Sequence, residues 1–249
     1  MFYGDANAFL VKRRGGPIVD IGKDVMLDFC LTTAAPPFTL SSDMELRPLT
    51  MVETLEKIAE FKTMIAGQSR LQLVLNAKDL SKAIRDGKIG VILGLQNTPS
   101  DVNPQALFDA GIRVMTLAYY EENDLGSGFL NGGIGLKELG KKVVKQCAES
   151  MIIVDLSHVG HKTSLDTLSF IKENRLNCRI MASHSGCVSE YHHMRNILDD
   201  TIRGIVDLGG VVGITTITFN LAEKSKKAAR SFINHLFNLD KKKMGGVFY

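Results

Sequence analysis

Two of the six histidines, His158 and His184, each close a short apolar run, M-I-I-V-D-L-S-H and R-I-M-A-S-H. The runs, residues 152–156 and 180–182, are partly β-branched and too short for helices, which suits buried parallel strands. Side chains alternate along a strand, so Val154, Leu156 and His158 are expected on one face, and Ile180, Ala182 and His184 likewise. Residues 161–174 between them read as a helix. The unit is then βαβ, and both imidazoles leave the same, C-terminal edge of a parallel sheet, where α/β folds place their chemistry. Two imidazoles at one edge point to a metal site; two hydrogen-bonded structural histidines are the plain alternative. A zinc-type hydrolase needs two or three nitrogen or carboxylate ligands, an open coordination position and a group that binds the substrate's charge. Arg195 suits the last role through its planar fork, with a helix-start salt bridge to Asp199 or Asp200 as its structural alternative. The other polar groups expected at that rim are Asp20, Asp24, Gln96, Asn97, Tyr119 to Asn123, His161, Tyr191, His192 and His193.

The rest of the chain supplies elements that could carry such a rim. Strands are predicted at 17–21, 25–31, 71–75, 89–95, 112–117 and 211–217, and helices at 51–65, 79–85, 104–110, 136–150, 199–208 and 223–239. Gly67, Gly111 and the pair Gly209-Gly210 read as stops after helices. Residues 32–50, rich in Pro, Ser and Thr, read as a loop, as do residues 118–133. Residues 244–249 could begin one more strand. Strand and helix alternate with no linker or composition break, so residues 1–249 are expected to form a single α/β domain of the (β/α)8 TIM-barrel type, incomplete at its C-terminus. If the natural protein continues beyond Tyr249, an open edge would expose apolar surface and favour association, a homodimer among the outcomes.

Composition narrows the function classes. A formal charge of +3 is too small to imply nucleic acid, and with no Trp there is no visible stacking platform for single strands. No apolar run reaches membrane-spanning length and no leader is visible, so a cytoplasmic protein is expected. Cys30, Cys147, Cys178 and Cys187 form no C-x-x-C pair, consistent with free thiols in a reducing compartment. Cys187, just past His184, is the one thiol placed to ligate a metal or act as a nucleophile. There is no Walker-type phosphate loop and no G-x-S-x-G elbow. The basic run from Lys224 to Lys243 reads as the solvated face of an outer helix.

Ordered motifs then tie the chain to a family. G-L-Q-N-T at 94–98, N-D-L-G-S-G at 123–128, G-L-K-E-L-G-K-K-V-V at 135–144, V-D-L-S-H-V-G at 154–160, A-S-H-S at 182–185, M-R-N-I-L-D-D at 194–200 and G-G-V-V-G-I at 209–214 resemble the membrane dipeptidase (renal dipeptidase) family of zinc metallopeptidases. The resemblance implies a (β/α)8 barrel with a two-zinc centre that hydrolyses dipeptides through a metal-bridging hydroxide. By it, His158 and His184 match the two histidines of the second zinc, and Arg195 the arginine that contacts substrate. The first-strand H-x-D pair falls on Gly22 and Asp24, the bridging glutamate on Gln96, and a late G-G-D-F-D element only weakly on residues 245–249. Two dications held about 4 Å apart need an anionic bridge to offset their repulsion, and a glutamine is neutral. At most one zinc is therefore expected, between His158 and His184, with Asp24 or Gln96 beside it as catalytic groups. Arg195, Tyr119 and Asn123 are expected to bind a small, dipeptide-like substrate. A pseudoenzyme of the same fold, binding a ligand without turnover, is the alternative.

Overall fold

The structure is a computed structural model that describes residues 4–5, 27–40, 46–215, 230–231, 233–235, 239 and 247–248. Asp24 and the strand predicted at 17–21 lie outside the described residues, as does most of the helix predicted at 223–239. The strands are β1 (Gly4–Asp5), β2 (Phe29–Thr33), β3 (Thr39–Leu40), β4 (Leu46–Arg47), β5 (Leu71–Leu73), β6 (Ile89–Leu95), β7 (Ile112–Thr116), β8 (Ile153–Asp155), β9 (Ile180–Ser185), β10 (Val211–Ile214) and β11 (Val247–Phe248). The helices are α1 (Met51–Ala66), α2 (Ala77–Arg85), α3 (Pro104–Ala110), α4 (Glu138–Ser150), α5 (His161–Glu173) and α6 (Asp199–Asp207).

One parallel sheet runs β1-β2-β6-β7-β8-β9-β10-β11. The short β5 pairs Ile89–Val91 at the start of β6, while β7 pairs Leu93–Leu95 at its end, so the two share one edge of β6. Helices α2 to α6 each link one strand to the next, which is the α/β arrangement of a (β/α)8 barrel left open between its first and last described strands. Within the loop expected at 32–50, the described residues include strand structure. Thr32 and Thr33 complete β2, and β3 pairs antiparallel with β4.

Local chemistry explains why the elements begin and end where they do. Thr50 and Glu53 form a capping box on α1, and Arg47 pairs with the same glutamate. Asn76 caps α2, and Asn103 followed by Pro104 starts α3. Each such cap is worth about 1 kcal/mol. Gly111 ends α3 at φ 114°, a conformation that a side chain would resist. The core is continuous: Val91 and Leu93 of β6, Ile112 and Met115 of β7 and Val154 of β8 are all buried, with Ile58, Leu107, Val144, Ile171 and Ile202 covering them from the helices. Full burial of each such side chain contributes roughly 1.5–3 kcal/mol.

One irregularity bears directly on the rim. Val212 pairs with Ala182 but Ile214 pairs with Ser185, so β9 carries one residue more than β10 at Ser183–His184. The bulge requires close approach, because a Cβ on Gly213 would lie 1.9 Å from the Ser183 carbonyl oxygen.

Candidate active site

His184 lies within β9, next to the bulge, whereas His158 stands beyond β8 in a left-handed turn at φ 70°. This corrects the simple alternation expected for His158: the pleat ends at Asp155 and a turn aims the ring. A non-glycine residue in that region costs about 1 kcal/mol, which the surroundings must offset. The two buried rings converge, with Nε2 of His158 3.0 Å from Nε2 of His184.

A second layer of polar groups, not singled out from the sequence, holds His184. Asp155 is fully buried, and one of its oxygens accepts from the Ser157 and Ser183 backbone N–H groups, both at 2.9 Å. Its other oxygen meets the Ser183 hydroxyl, which is 2.7 Å from His184 Nδ1. Burial pushes Asp155 above the usual carboxylate range, against the hydrogen bonds from Ser183 and Ser157. When Asp155 is ionised, the Ser183 hydroxyl donates to it and accepts from Nδ1–H of His184. The lone pair at His184 Nε2 then faces His158. When Asp155 is protonated, the chain of donors reverses and the imidazole proton moves to Nε2. Ser157 ties the strand ends together, accepting from the His184 backbone N–H at 2.9 Å and lying 3.2 Å from Ser185 Oγ.

Arg195 is only 4% exposed and donates to the His184 carbonyl at 3.0 Å and to Ser185 Oγ at 3.4 Å. The helix-start salt bridge is not made: Asp199 is bonded to Cys187 and His235, and Asp200 to Arg203. Burial lowers Arg195 to about 10, with Asp155, Tyr119 and Tyr120 acting the other way. Burial first, then the Arg195 charge, holds both His158 and His184 well below the ordinary histidine value, and His184 adds to the effect on His158. Both imidazoles are thus neutral at neutral pH, the form in which they bind metals.

Aromatic rings wall off His158. Tyr119 stacks on it at 4.0 Å between centroids, and Phe129 lies 5.9 Å away. Tyr120 packs edge-on against Tyr119 and stacks with Phe38. Burial pushes the Tyr119 hydroxyl up to about 12, so it remains a donor across the ordinary pH range. Beyond Tyr119 opens a cavity of about 450 Å³, also lined by Gln96, Thr32, Pro36, Phe61 and Met64. Tyr119 and Gln96 therefore face space that could hold a small molecule. Asn123 does not: its amide accepts from the Leu125 and Gly126 N–H groups and donates to the Leu117 carbonyl, which organises the 118–133 loop from within. Asn97 likewise bonds the Pro37 carbonyl, and His161 the Asn196 carbonyl. The neighbouring Tyr191 and His193 stack on each other.

Two neutral Nε2 atoms at this spacing fit one zinc ion, whose nitrogen ligands sit at 2.0–2.1 Å and hence roughly 3–3.4 Å apart. His184 also has the outer partner that metal-bound histidines use on their second nitrogen. Among the described residues, no third His, Cys or carboxylate atom joins the pair. Nor, among them, is any helix long and apolar enough to cross a membrane.

Comparison with known proteins agrees with this fold. The chain is 28% identical over 216 residues to an uncharacterized dipeptidase of Schizosaccharomyces pombe, covering 82% of this chain and 50% of that one. It spans about half the length of the curated relatives it matches. Its whole length superposes on an amidohydrolase from Pseudomonas aeruginosa with a TM-score of 0.81 at 22% identity, covering 74% of that chain. It also superposes on a Rhodobacter sphaeroides metallo peptidase liganded with a phosphinate mimic of the dipeptide L-Ala-D-Ala, with a TM-score of 0.75 at 18% identity over 86% of that chain. These structural likenesses establish the open (β/α)8 architecture. The family model for membrane dipeptidase, peptidase family M19, matches residues 30–244, and the chain belongs to that family.

Proposed function

We propose that this chain is a dipeptidase-like metallohydrolase that cleaves a dipeptide or related small amide, using a single zinc held by His158 and His184. The convergence of their Nε2 atoms at 3.0 Å carries the proposal. Family membership and the relatives described as dipeptidases support it. Bound there, zinc would supply Lewis acidity and lower the pKa of a water molecule towards neutrality.

The protein's own groups would do the remainder. Asp155, acting through Ser183, presents the His184 lone pair. The cavity beside Tyr119 receives the substrate, with the Tyr119 hydroxyl as a neutral donor. Gln96 offers an amide that can orient a polar group of the substrate without drawing a second dication. Arg195, buried against the His184 carbonyl and Ser185 Oγ, is the candidate cation for a substrate carboxylate that displaces part of this packing. Asp24 is the candidate third ligand and supplies the anionic charge that the histidine pair lacks.

The test is dipeptide hydrolysis by the purified chain with and without added zinc, beside metal analysis of the same sample. Zinc-dependent turnover that His158→Ala abolishes is expected. A chain that neither contains zinc nor takes it up at the histidine pair would end the proposal. Ligand binding without turnover would replace it with a non-catalytic role.

A further inference from the structure

Cys187 emerged from the sequence as a thiol placed to ligate a metal, and the active-site geometry leaves it unused. It follows β9, and its sulfur engages a different set of side chains. Sγ donates to Asp199 Oδ1 at 3.0 Å, and Nε2 of His235 lies 3.0 Å from that same oxygen. Thiol, carboxylate and imidazole atoms from three separate parts of the chain all lie within 4.8 Å of one another. The second ring nitrogen of His235 faces Glu190 Oε1 at 3.3 Å, the outer carboxylate contact that metal-binding histidines commonly make. The Asp199 and His235 side chains are 23% and 20% exposed, so an ion can reach them, while Cys187 is buried.

We propose that Cys187, Asp199 and His235 form a second metal site, independent of the His158–His184 pair, for zinc or a similar borderline-soft divalent ion. The mixed sulfur, nitrogen and oxygen set suits such an ion and disfavours magnesium or calcium. Binding is an exchange without redox change: the ion replaces the thiol proton of Cys187 and any proton on His235 Nε2, and both leave to solvent. Burial, then Asp199, raises the Cys187 thiol to about 12, while the Ser189 and Glu190 backbone N–H groups pull the other way. The sulfur therefore stays protonated until a cation arrives, and oriented donors then help to hold the thiolate. Occupancy would pin the helical segment at residues 233–235 to the start of α6 and to the loop after β9. In its absence the contact between His235 Nε2 and Asp199 Oδ1 at 3.0 Å fills the same place.

Cobalt(II) titration of the full chain distinguishes the two occupants, because a thiolate–cobalt bond gives a near-ultraviolet charge-transfer band. The band is expected in the wild-type chain and in the His158→Ala/His184→Ala variant. It should vanish in Cys187→Ser, and His235→Ala, a change at a partly exposed helix position, should weaken cobalt binding at least tenfold. Absence of the band from wild type overturns the proposal, as does its survival in Cys187→Ser. Its loss on removing the histidine pair, with the fold intact by circular dichroism, also overturns it. The outcome is separate from that of the hydrolase proposal, which rests on the pair alone.

Discussion

Replacing Ser183 with alanine tests the support of His184 more directly than removing either histidine. The hydroxyl joins Asp155 to His184 Nδ1 and touches Ser157 Oγ at 3.4 Å. Its loss leaves a carboxylate oxygen and a ring nitrogen without partners in a buried site. Each orphaned group costs about 1–3 kcal/mol. Asp155 keeps its two backbone N–H donors, so the lower half of the summed range, roughly 2–4 kcal/mol, is expected from denaturant unfolding. The imidazole would also lose the contact that selects its tautomer, a bias of about 0.5–1.5 kcal/mol for one net hydrogen bond. Histidine ring-nitrogen NMR above neutral pH should show wild-type His184 carrying its proton on Nδ1, and a mixture of tautomers in Ser183→Ala. Zinc affinity at the pair, measured by chelator competition, should fall roughly 10–100-fold, as it does when an outer partner of a metal-bound histidine is removed. Unchanged tautomer and unchanged zinc affinity beside an ordinary loss of stability would refute the positioning role and leave Ser183 purely structural.

Stability of the metal-free chain should depend on pH through the same groups. The folded values of His158 and His184 lie below the unfolded value of about 6.5, so the unfolded state binds more protons just below that pH. Their contribution is complete above about 6.5 and is lost as pH falls towards the folded values, at up to about 1.4 kcal/mol per pH unit for each ring. Asp155, raised by burial, opposes them with at most one proton. The net slope should rise as pH falls below about 6.5 towards a limit of about 1.4–2.7 kcal/mol per unit, and a flat profile from pH 7 to 5 would contradict the neutral buried pair. Gly213→Ala places a methyl 1.9 Å from the Ser183 carbonyl, so the bulge must open; a fall in stability of at least ~1 kcal/mol and weaker zinc binding are expected. Tyr119→Ala removes the ring stacked on His158 and joins the cavity to the pair. Stopped-flow zinc uptake should quicken, and an unchanged rate would show that the ring does not obstruct entry.

Much of the framework is legible along the chain because it is local. The strand at Ile89–Leu95 and the helix at Pro104–Ala110 have the bounds that an apolar run and the flanking Pro and Gly predict. The convergence of His158 and His184 also follows from the βαβ unit, although His158 reaches it through a left-handed turn and not by strand alternation. Alternation fails three residues past a strand, and nothing in S-H-V-G announces a positive φ. Asp155 and Ser183 stood inside quoted motifs without a role, because a buried carboxylate acquires one only through the strand beside it. Asn123 resembled a rim donor until its own loop claimed both ends of its amide. The cluster at Cys187 depends on His235, 48 positions further along the sequence, and no local pattern joins the two.

The placement of Arg195 carries an implication for metal capture. A dication entering between two uncharged rings meets the charge of the guanidinium bonded to the His184 carbonyl, and Asp155, which supports His184, is already committed to serine and amide donors. The imidazoles by themselves therefore make a low-affinity trap, opposed by that charge and, among the described residues, joined by no carboxylate ligand. Tight zinc retention would be a gauge of whether an anion, from Asp24 or from a substrate carboxylate, has come to stand opposite that guanidinium.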